Sequence, residues 1–318
     1  MSRTLSRLAV AATAVVLAAG LAVPSTADAR DRAGALRWVA LGDSYTAGVI
    51  QATGDVFETP PDGCARTTQS YPEIARRDLG ARVDLRNVSC GAATIDNVYR
   101  EQQTPLGRPM PPDAIDPNAP FAPVPPQLDA VGPKTDLVTI GIGGNTMGFA
   151  EIIQRCVELG DRSKNTGTPC KDEFTPSMSV RLDTVRQQYD QMLTALHSKA
   201  PTAKVITVGY PHIVPNDTAS CRFGDIQQLH TITAGDLDWA RTAVLEPLNK
   251  VIQQVSAAHG ATYVDQYASS AGHSVCDSDH WVDGVVSSIV PLQFAFVHPN
   301  AKGQANVARL VENAIHAG

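Results

Sequence analysis

Five short apolar runs, separated by segments with helical periodicity, constrain the fold of this chain more than any other feature. The runs span residues 38–41, 83–88, 137–142, 204–208 and 262–264. Each has the length and residue types of a buried β-strand. Strands that alternate with helices form a parallel sheet covered on both faces, so we predict an α/β fold.

Helical spacing of apolar residues is clearest in three segments. It predicts one helix over 185–196 that ends before Pro201, and a second over 248–255 that Gly260 caps. A third is expected over 301–316, at the end of the chain. No internal repeat or linker divides the sequence.

The first 29 residues differ from the rest. Arg3 and Arg7 precede a 16-residue apolar run from Leu8 to Val23, and Ala27-Asp28-Ala29 has the A-x-A pattern of a cleavage site. This pattern is typical of a secretory signal peptide. The alternative is an uncleaved anchor, but a membrane span needs about 20 apolar residues. We therefore expect residues 1–29 to be a signal peptide and residues 30–318 to form a single exported domain.

All six cysteines lie in the exported part, where an even number indicates disulfides. Of the 15 possible pairings we favour the sequential one, because short loops close easily. It joins Cys64 to Cys90, Cys156 to Cys170 and Cys221 to Cys276. A cysteine metal cluster is the alternative, but the chain has no C-x2-C pair.

Two features of composition bear on function. The formal net charge of −6 argues against a general nucleic-acid-binding protein. Residues 104–126 carry nine of the 22 prolines, which excludes a helix or a central strand there. We expect this Pro-rich loop to be either an extended surface loop or a wall over a substrate cleft.

A serine and a distant histidine are the candidate reacting groups. Ser44 follows the first predicted strand after Gly42, at the sheet edge where open α/β folds bind ligands. A serine needs a base to become a nucleophile, and His298, just before the last predicted helix, could supply it. In isolation each residue would usually be only a turn or boundary residue.

Donors for a developing oxyanion follow two other strands. Asn145, after the third strand, has a side-chain amide, and the backbone N–H groups of Ser44, Gly91 and Ala92 could complete the site. A Gly-Gly-Asn sequence alone is usually a turn. Ser44, His298 and the Gly-Gly-Asn sequence together, all at predicted sheet edges in an exported chain, favour catalysis.

These motifs resemble the sequence blocks of the SGNH, or GDSL, hydrolases. The resemblance is carried by Gly42-Asp43-Ser44-Tyr45, Gly143-Gly144-Asn145 and His298-Pro299. The likeness is greatest to secreted actinobacterial lipases, phospholipases and esterases, whose pattern also matches residues 126–129, 135–138 and 276–281 and the cysteine ladder.

The resemblance implies a three-layer α/β/α sandwich with five mostly parallel strands in a flavodoxin-like arrangement. It implies hydrolysis of carboxylic esters through an acyl-serine, with Ser44 as nucleophile, His298 as base and Asn145 as an oxyanion donor. We expect a small-molecule or lipid ester as substrate, no cofactor or metal, no nucleic acid or stable membrane insertion, and a monomer.

The chain departs from the family pattern at two positions. Ala92 stands where the family usually has the oxyanion glycine, and we favour its N–H over that of Gly91 as the donor. Ala295 stands where many members carry the aspartate three residues before the histidine. We therefore predict a Ser–His dyad in which the Ala295 carbonyl orients the imidazole.

Several alternatives stay open at this point. Asp277, Asp279 or Asp283 could complete a triad, whereas Asp43 is expected to bond the turn that holds Ser44. The substrate could be a phospholipid or an acetylated carbohydrate, and a non-catalytic cell-envelope binding protein could share the fold. The G-x-S-x-G elbow of α/β-hydrolases is absent because Thr46 replaces its second glycine.

Overall fold

A computed structural model describes residues 34–48, 62–112 and 114–317. Its main sheet contains β1 (Leu36–Gly42), β2 (Val83–Asn87), β3 (Leu137–Gly141), β4 (Lys204–Val208) and β5 (Thr262–Val264). All neighbouring pairs are parallel, in the order β2-β1-β3-β4-β5. The α/β prediction and the five predicted strands are confirmed.

Helices fill the connections between the strands. They are α1 (Ser44–Ala47), α2 (Tyr71–Leu79), α3 (Ile95–Tyr99), α4 (Gly144–Met147), α5 (Phe149–Ser163), α6 (Pro169–Lys199), α7 (Ala234–Trp239), α8 (Glu246–Ala258), α9 (Gln266–Ser269) and α10 (Ala301–His316). A π-helical segment, Ala240–Leu245, joins α7 to α8. The three helices predicted from periodicity lie within α6, α8 and α10.

Alternation along β1 explains why helices cover both faces of the sheet. Val39 and Leu41 point into a large core that also receives buried side chains of α3, α5, α6 and α8. Trp38 and Ala40 point into a second core, formed with α2 and α10. Because successive strand residues face opposite sides and both sides are apolar, the sheet becomes the middle layer of an α/β/α sandwich.

A short antiparallel hairpin was not predicted from the sequence. It consists of β6 (Val286–Ile289) and β7 (Leu292–Phe294), which pair with each other and lie outside the main sheet. Its strands are only four and three residues long. Such short runs carry too little periodicity to distinguish a strand from a loop.

Over its described residues, the Pro-rich loop forms neither a helix nor a strand of the main sheet, as its composition predicts. Gln103 and Val124 form an isolated antiparallel bridge at its base, and the Gly107 N–H donates to the Gly63 carbonyl at 2.9 Å. The loop thus lies against the segment that carries Cys64.

The cysteines pair in the order expected from the sequence. The bonds are Cys64–Cys90, Cys156–Cys170 and Cys221–Cys276. Cys64–Cys90 ties the segment before α2 to the turn after β2, next to the end of β1. The expected signal peptide, residues 1–29, lies outside the described residues. Over the described ranges, no helix combines the length and hydropathy needed to span a membrane.

Gln127 closes the end of β1 from the side. Its amide oxygen accepts from the Gly42 N–H at 2.7 Å, and its amide nitrogen donates to the Gly42 carbonyl at 2.9 Å. The carbonyl also accepts from the Cys90 N–H, so only the Gly42 N–H depends on Gln127 alone. Both partners are buried.

We expect Gln127→Met to lower the free energy of unfolding by about 1–3 kcal/mol, because a buried N–H loses its acceptor. Urea denaturation measures the change. Gln102→Met, at an exposed glutamine of the same loop region, is the matched control and should leave stability unchanged. Equal stability of the two variants would contradict the role given to Gln127.

Candidate active site

Ser44 is the first residue of α1, immediately beyond the end of β1. Gly42 has a φ of 149°, and a Cβ there would lie 2.3 Å from Thr46 Oγ1 and 2.5 Å from the Gly141 carbonyl oxygen. Only glycine allows so tight a passage from strand to helix. The Asp43 side chain caps α1 by accepting from the Tyr45 N–H at 2.9 Å. The Ser44 hydroxyl is therefore held at the carboxyl edge of the sheet.

His298 meets Ser44 across 254 residues of sequence. Its Nε2 lies 2.7 Å from Ser44 Oγ, and its Nδ1 lies 2.9 Å from the Phe296 carbonyl oxygen. A carbonyl only accepts, so Nδ1 carries the proton and donates to it. Nε2 then presents its lone pair to the Ser44 O–H. The structure thus brings the two predicted reacting groups into direct contact.

The main carbonyl partner of the imidazole is that of Phe296, at 2.9 Å from Nδ1, rather than that of Ala295, which was predicted for this role and interacts with the ring more weakly. Phe296 and Val297 both have left-handed backbone conformations, with φ of 47° and 63°. Two such residues in succession turn the chain sharply, so the carbonyl two residues before His298 faces the ring. This turn could not be predicted, because neither Phe nor Val is a residue type that favours positive φ.

The strained turn is held by its neighbours. The Phe296 N–H donates to the Val285 carbonyl at 3.0 Å, and the Val297 N–H to the Gly284 carbonyl at 2.8 Å. Tyr45 donates its hydroxyl to the Val297 carbonyl, and its ring centroid lies 4.6 Å from that of His298. Tyr45, the residue after the candidate nucleophile, therefore helps to position the candidate base. Strained backbone persists only where surrounding contacts hold it in this way.

Burial lowers the pKa of His298 from its usual 6.5 to about 4, and the carbonyls of Phe296 and, to a smaller extent, Ala295 oppose this only in part. The imidazole is consequently neutral, with a free lone pair, throughout the neutral and mildly acidic range.

The three alternative carboxylates all bond elsewhere. Asp283 accepts from the Asn300 side chain at 3.1 Å, and Asp277 accepts from the Ser274 N–H and hydroxyl. Asp279 pairs with Lys302. Among the described residues, no carboxylate bonds to the imidazole of His298.

The candidate oxyanion donors follow the ends of neighbouring strands. Gly42 and Gly141 stand side by side in the register of β1 and β3, so Ser44 and Asn145 come from the same edge. One N–H of the Asn145 amide donates to the Ala93 carbonyl at 2.9 Å, which fixes the side chain and leaves its second N–H. Asn145 and Ser44 line the same cavity.

The turn after β2 distinguishes Ala92 from Gly91. The Gly91 N–H donates to the Cys64 carbonyl at 3.2 Å. Within the described part of the chain, the N–H groups of Ala92 and Ser44 have no hydrogen-bond partner. Ala92 has a φ of 62°, so it takes the left-handed conformation that glycine takes more readily. Its N–H is the one available for a ligand.

Tyr210 is a site residue that the sequence analysis missed. Its hydroxyl donates to the Asp43 carboxylate at 2.5 Å and accepts from the Gly144 N–H at 2.6 Å. Burial raises the pKa of Asp43 to about 7, although Tyr210 and the Tyr45 N–H partly offset it. Tyr210 thereby joins the turn of Ser44 to the Gly-Gly-Asn turn. Tyr210 lies just after the end of β4, at the same carboxyl edge of the sheet as Ser44. This position could have identified it as a site residue from the sequence.

An apolar cavity of about 490 Å³ opens beside Ser44. Phe149, Ile153 and Val157 form one wall, at intervals of one turn along α5. The other apolar lining residues include Ile213, Leu245, Leu248, Val285 and Phe296. None of the described residues of the Pro-rich loop lines this cavity. The volume lies in the usual range for small-molecule sites.

The fold, and the arrangement of Ser44, Asn145 and His298 at the carboxyl edge of its sheet, are those of the SGNH hydrolases. Residues 40–305 match the GDSL-like lipase/acylhydrolase family, and the chain belongs to this family. It is therefore one of the carboxylic ester hydrolases. Lipase 2 of Streptomyces coelicolor is 34% identical over 281 residues, which cover 86% of this chain and 83% of that protein.

Two solved structures are similar over most of the chain. An extracellular lipase from Streptomyces rimosus superposes with a TM-score of 0.65 and 26% identity, covering 88% of this chain and all of that one. A phospholipase A1 from Streptomyces albidoflavus gives a TM-score of 0.61 at 24% identity, covering 88% and 99% of the two chains. The similarity to this phospholipase A1 is evidence for the fold alone.

We expect the His298 imidazole to titrate with a midpoint of about 4, because burial disfavours its cationic form. NMR of the histidine ring signals measures this, and a His298→Gln variant assigns the resonance. A midpoint at the ordinary value of 6.5 would show that burial does not hold the imidazole neutral.

Proposed function

We propose that this chain is a secreted serine esterase or lipase that hydrolyses carboxylic esters through an acyl-serine, with Ser44 and His298 as a dyad. The 2.7 Å contact between Ser44 Oγ and His298 Nε2 is the observation that carries the proposal. The neutral state of the imidazole supports it as well, because a base must be unprotonated to act.

In the first half-reaction, His298 Nε2 takes the hydroxyl proton as Ser44 Oγ attacks the ester carbonyl carbon. The carbonyl oxygen becomes an oxyanion, which accepts from the N–H groups of Ser44 and Ala92 and from the Asn145 amide. Collapse of this intermediate breaks the bond to the alcohol oxygen, which leaves with the proton from His298.

In the second half-reaction, His298 Nε2 takes a proton from water as the water oxygen attacks the acyl carbon. The bond from that carbon to Ser44 Oγ then breaks, Oγ regains the proton from His298, and the acid is released. The Phe296 carbonyl keeps the Nδ1–H tautomer throughout. Its dipole supplies no full negative charge to the transient imidazolium. The donors at the oxyanion therefore carry more of the electrostatic stabilisation than in a triad with aspartate.

The apolar cavity favours a lipid acyl group over an acetyl group. From Phe149 to Val157 the wall of α5 spans about 12 Å, at about 1.5 Å per residue. An extended hydrocarbon with C–C bonds of about 1.5 Å advances roughly 1.25 Å per carbon. The wall therefore matches an acyl chain of about eight to twelve carbons, which disfavours carbohydrate deacetylation.

Secretion is supported by three observations. The disulfides indicate an oxidising compartment, residues 1–29 have the pattern of a signal peptide, and the similar Streptomyces rimosus lipase is extracellular.

We expect Ser44→Ala to lose at least about a thousandfold in kcat/KM on p-nitrophenyl esters, because the nucleophile is removed. Asp283→Asn, Asp277→Asn and Asp279→Asn should each retain most of the activity, since none bonds to His298. Full activity of Ser44→Ala would refute the serine mechanism. A loss of about 10⁴-fold in one aspartate variant would make the enzyme a triad hydrolase.

We expect Ile153→Trp to shorten the acyl preference, because the larger ring fills the middle of the cavity. The ratio of kcat/KM for dodecanoate over butyrate esters should fall by at least about tenfold, as a lost fit of one or more methylenes predicts. Ile115→Trp is the matched control, since Ile115 is exposed on the Pro-rich loop. An unchanged ratio in Ile153→Trp would place the acyl chain elsewhere.

A further inference from the structure

The turn of the β6–β7 hairpin exposes apolar side chains where turns usually carry polar ones. Val290 is 89% exposed, Ile289 55% and Leu292 39%. Ile289 pairs directly with Leu292, so their side chains lie on the same face of the hairpin. Nothing in the catalytic scheme above uses these residues.

The hairpin is also free of charge. Residues 284–297 contain no ionisable side chain, although charged residues make up 18% of the chain. A protruding, uncharged, apolar segment enters the headgroup region of a lipid layer without moving a charge out of water.

The apolar tip is continuous with the mouth of the cavity. Leu292 and Phe294 lie on the same face of β7. The ring of Phe294 stacks on that of Phe296, with 5.0 Å between the ring centroids. Phe296 is 41% exposed and also lines the cavity, as does Val285 at the other end of the hairpin. The exposed apolar surface thus leads from the tip to the place where an acyl chain would enter.

The size of the patch argues against a second copy of the chain as its occupant. The exposed parts of Ile289, Val290, Leu292 and Phe296 together amount to little more than two whole side chains. Even an aromatic side chain buries only about 150–250 Å², whereas a stable interface needs roughly 800 Å² per partner. A lipid layer has no such minimum, because a few inserted side chains suffice for reversible adsorption.

We propose that the β6–β7 hairpin docks the enzyme on the surface of neutral, aggregated lipid and so presents the mouth of the acyl cavity to its substrate. The inference rests on the proposed hydrolysis of lipid esters. Since the hairpin carries no charge, adsorption is independent of salt and needs no anionic lipid.

The test uses the full mature chain with Ser44→Ala, so that lipid is not consumed, and phosphatidylcholine vesicles in a sedimentation assay. We expect Val290→Asp to weaken partitioning by about tenfold or more, because a charge replaces an inserted apolar group. Val180→Asp is the matched control. It replaces a valine that is 65% exposed on α6 and outside the cavity, and should bind as Ser44→Ala alone does.

A second arm uses the active enzyme. The ratio of activity on an emulsified long-chain ester to activity on a soluble butyrate ester should fall about tenfold in Val290→Asp. It should keep its wild-type value in Val180→Asp. In Val290→Ser, which adds no charge, this activity ratio should also fall. Circular dichroism checks that each variant is folded.

Equal vesicle binding by Val290→Asp and Val180→Asp would overturn the proposal. It would also be overturned if light scattering showed that Val290→Asp splits a dimer, since the patch would then be a protein interface. Failure of the proposed function looks different. The wild type would hydrolyse neither ester, while vesicle binding could still depend on Val290.

Discussion

The backbone around Gly42 and Asp43 is the point on which the rest of the site depends. The Gly42 carbonyl accepts from Cys90 and Gln127, its N–H donates to Gln127, and the Asp43 N–H donates to the Gly141 carbonyl. The end of β1 is thereby bonded to the turn after β2, to the end of β3 and to the segment that precedes β3. The three candidate oxyanion donors directly follow the ends of β1, β2 and β3, so this hydrogen-bonded strand end sets their common position.

In the dyad that we propose, a main-chain group takes the place of a side chain. A carboxylate would hold the imidazole by charge, whereas the Phe296 carbonyl holds it by direction alone. The chain reaches that direction through two strained residues, which Tyr45 and the backbone around Val285 keep in place. These contacts therefore fix the direction of the carbonyl towards the imidazole, and burial keeps the imidazole neutral.

The segment from Gly284 to Val297 serves two sides of the molecule. Its beginning and end line the cavity and turn the chain towards His298, while its middle forms the exposed hairpin. In our proposal, lipid docking and base positioning thus belong to one short stretch of chain. The same segment can hold the base rigidly and also expose an apolar tip, because the tip residues are exposed and take no part in the core.

Periodicity and residue type were sufficient for much of this protein. The five strands of the main sheet could be predicted because they are short apolar runs between helical segments, and Ser44, Asn145 and His298 because they follow strand ends or precede a helix. Three things were decided only in the folded molecule. Tyr210 lies 167 residues from Asp43, Phe296 rather than Ala295 supplies the main carbonyl partner of His298, and the hairpin forms from runs too short to have a period. Local sequence determines which element a residue joins, but hydrogen bonds between distant segments, and the backbone strain they sustain, depend on how the elements pack.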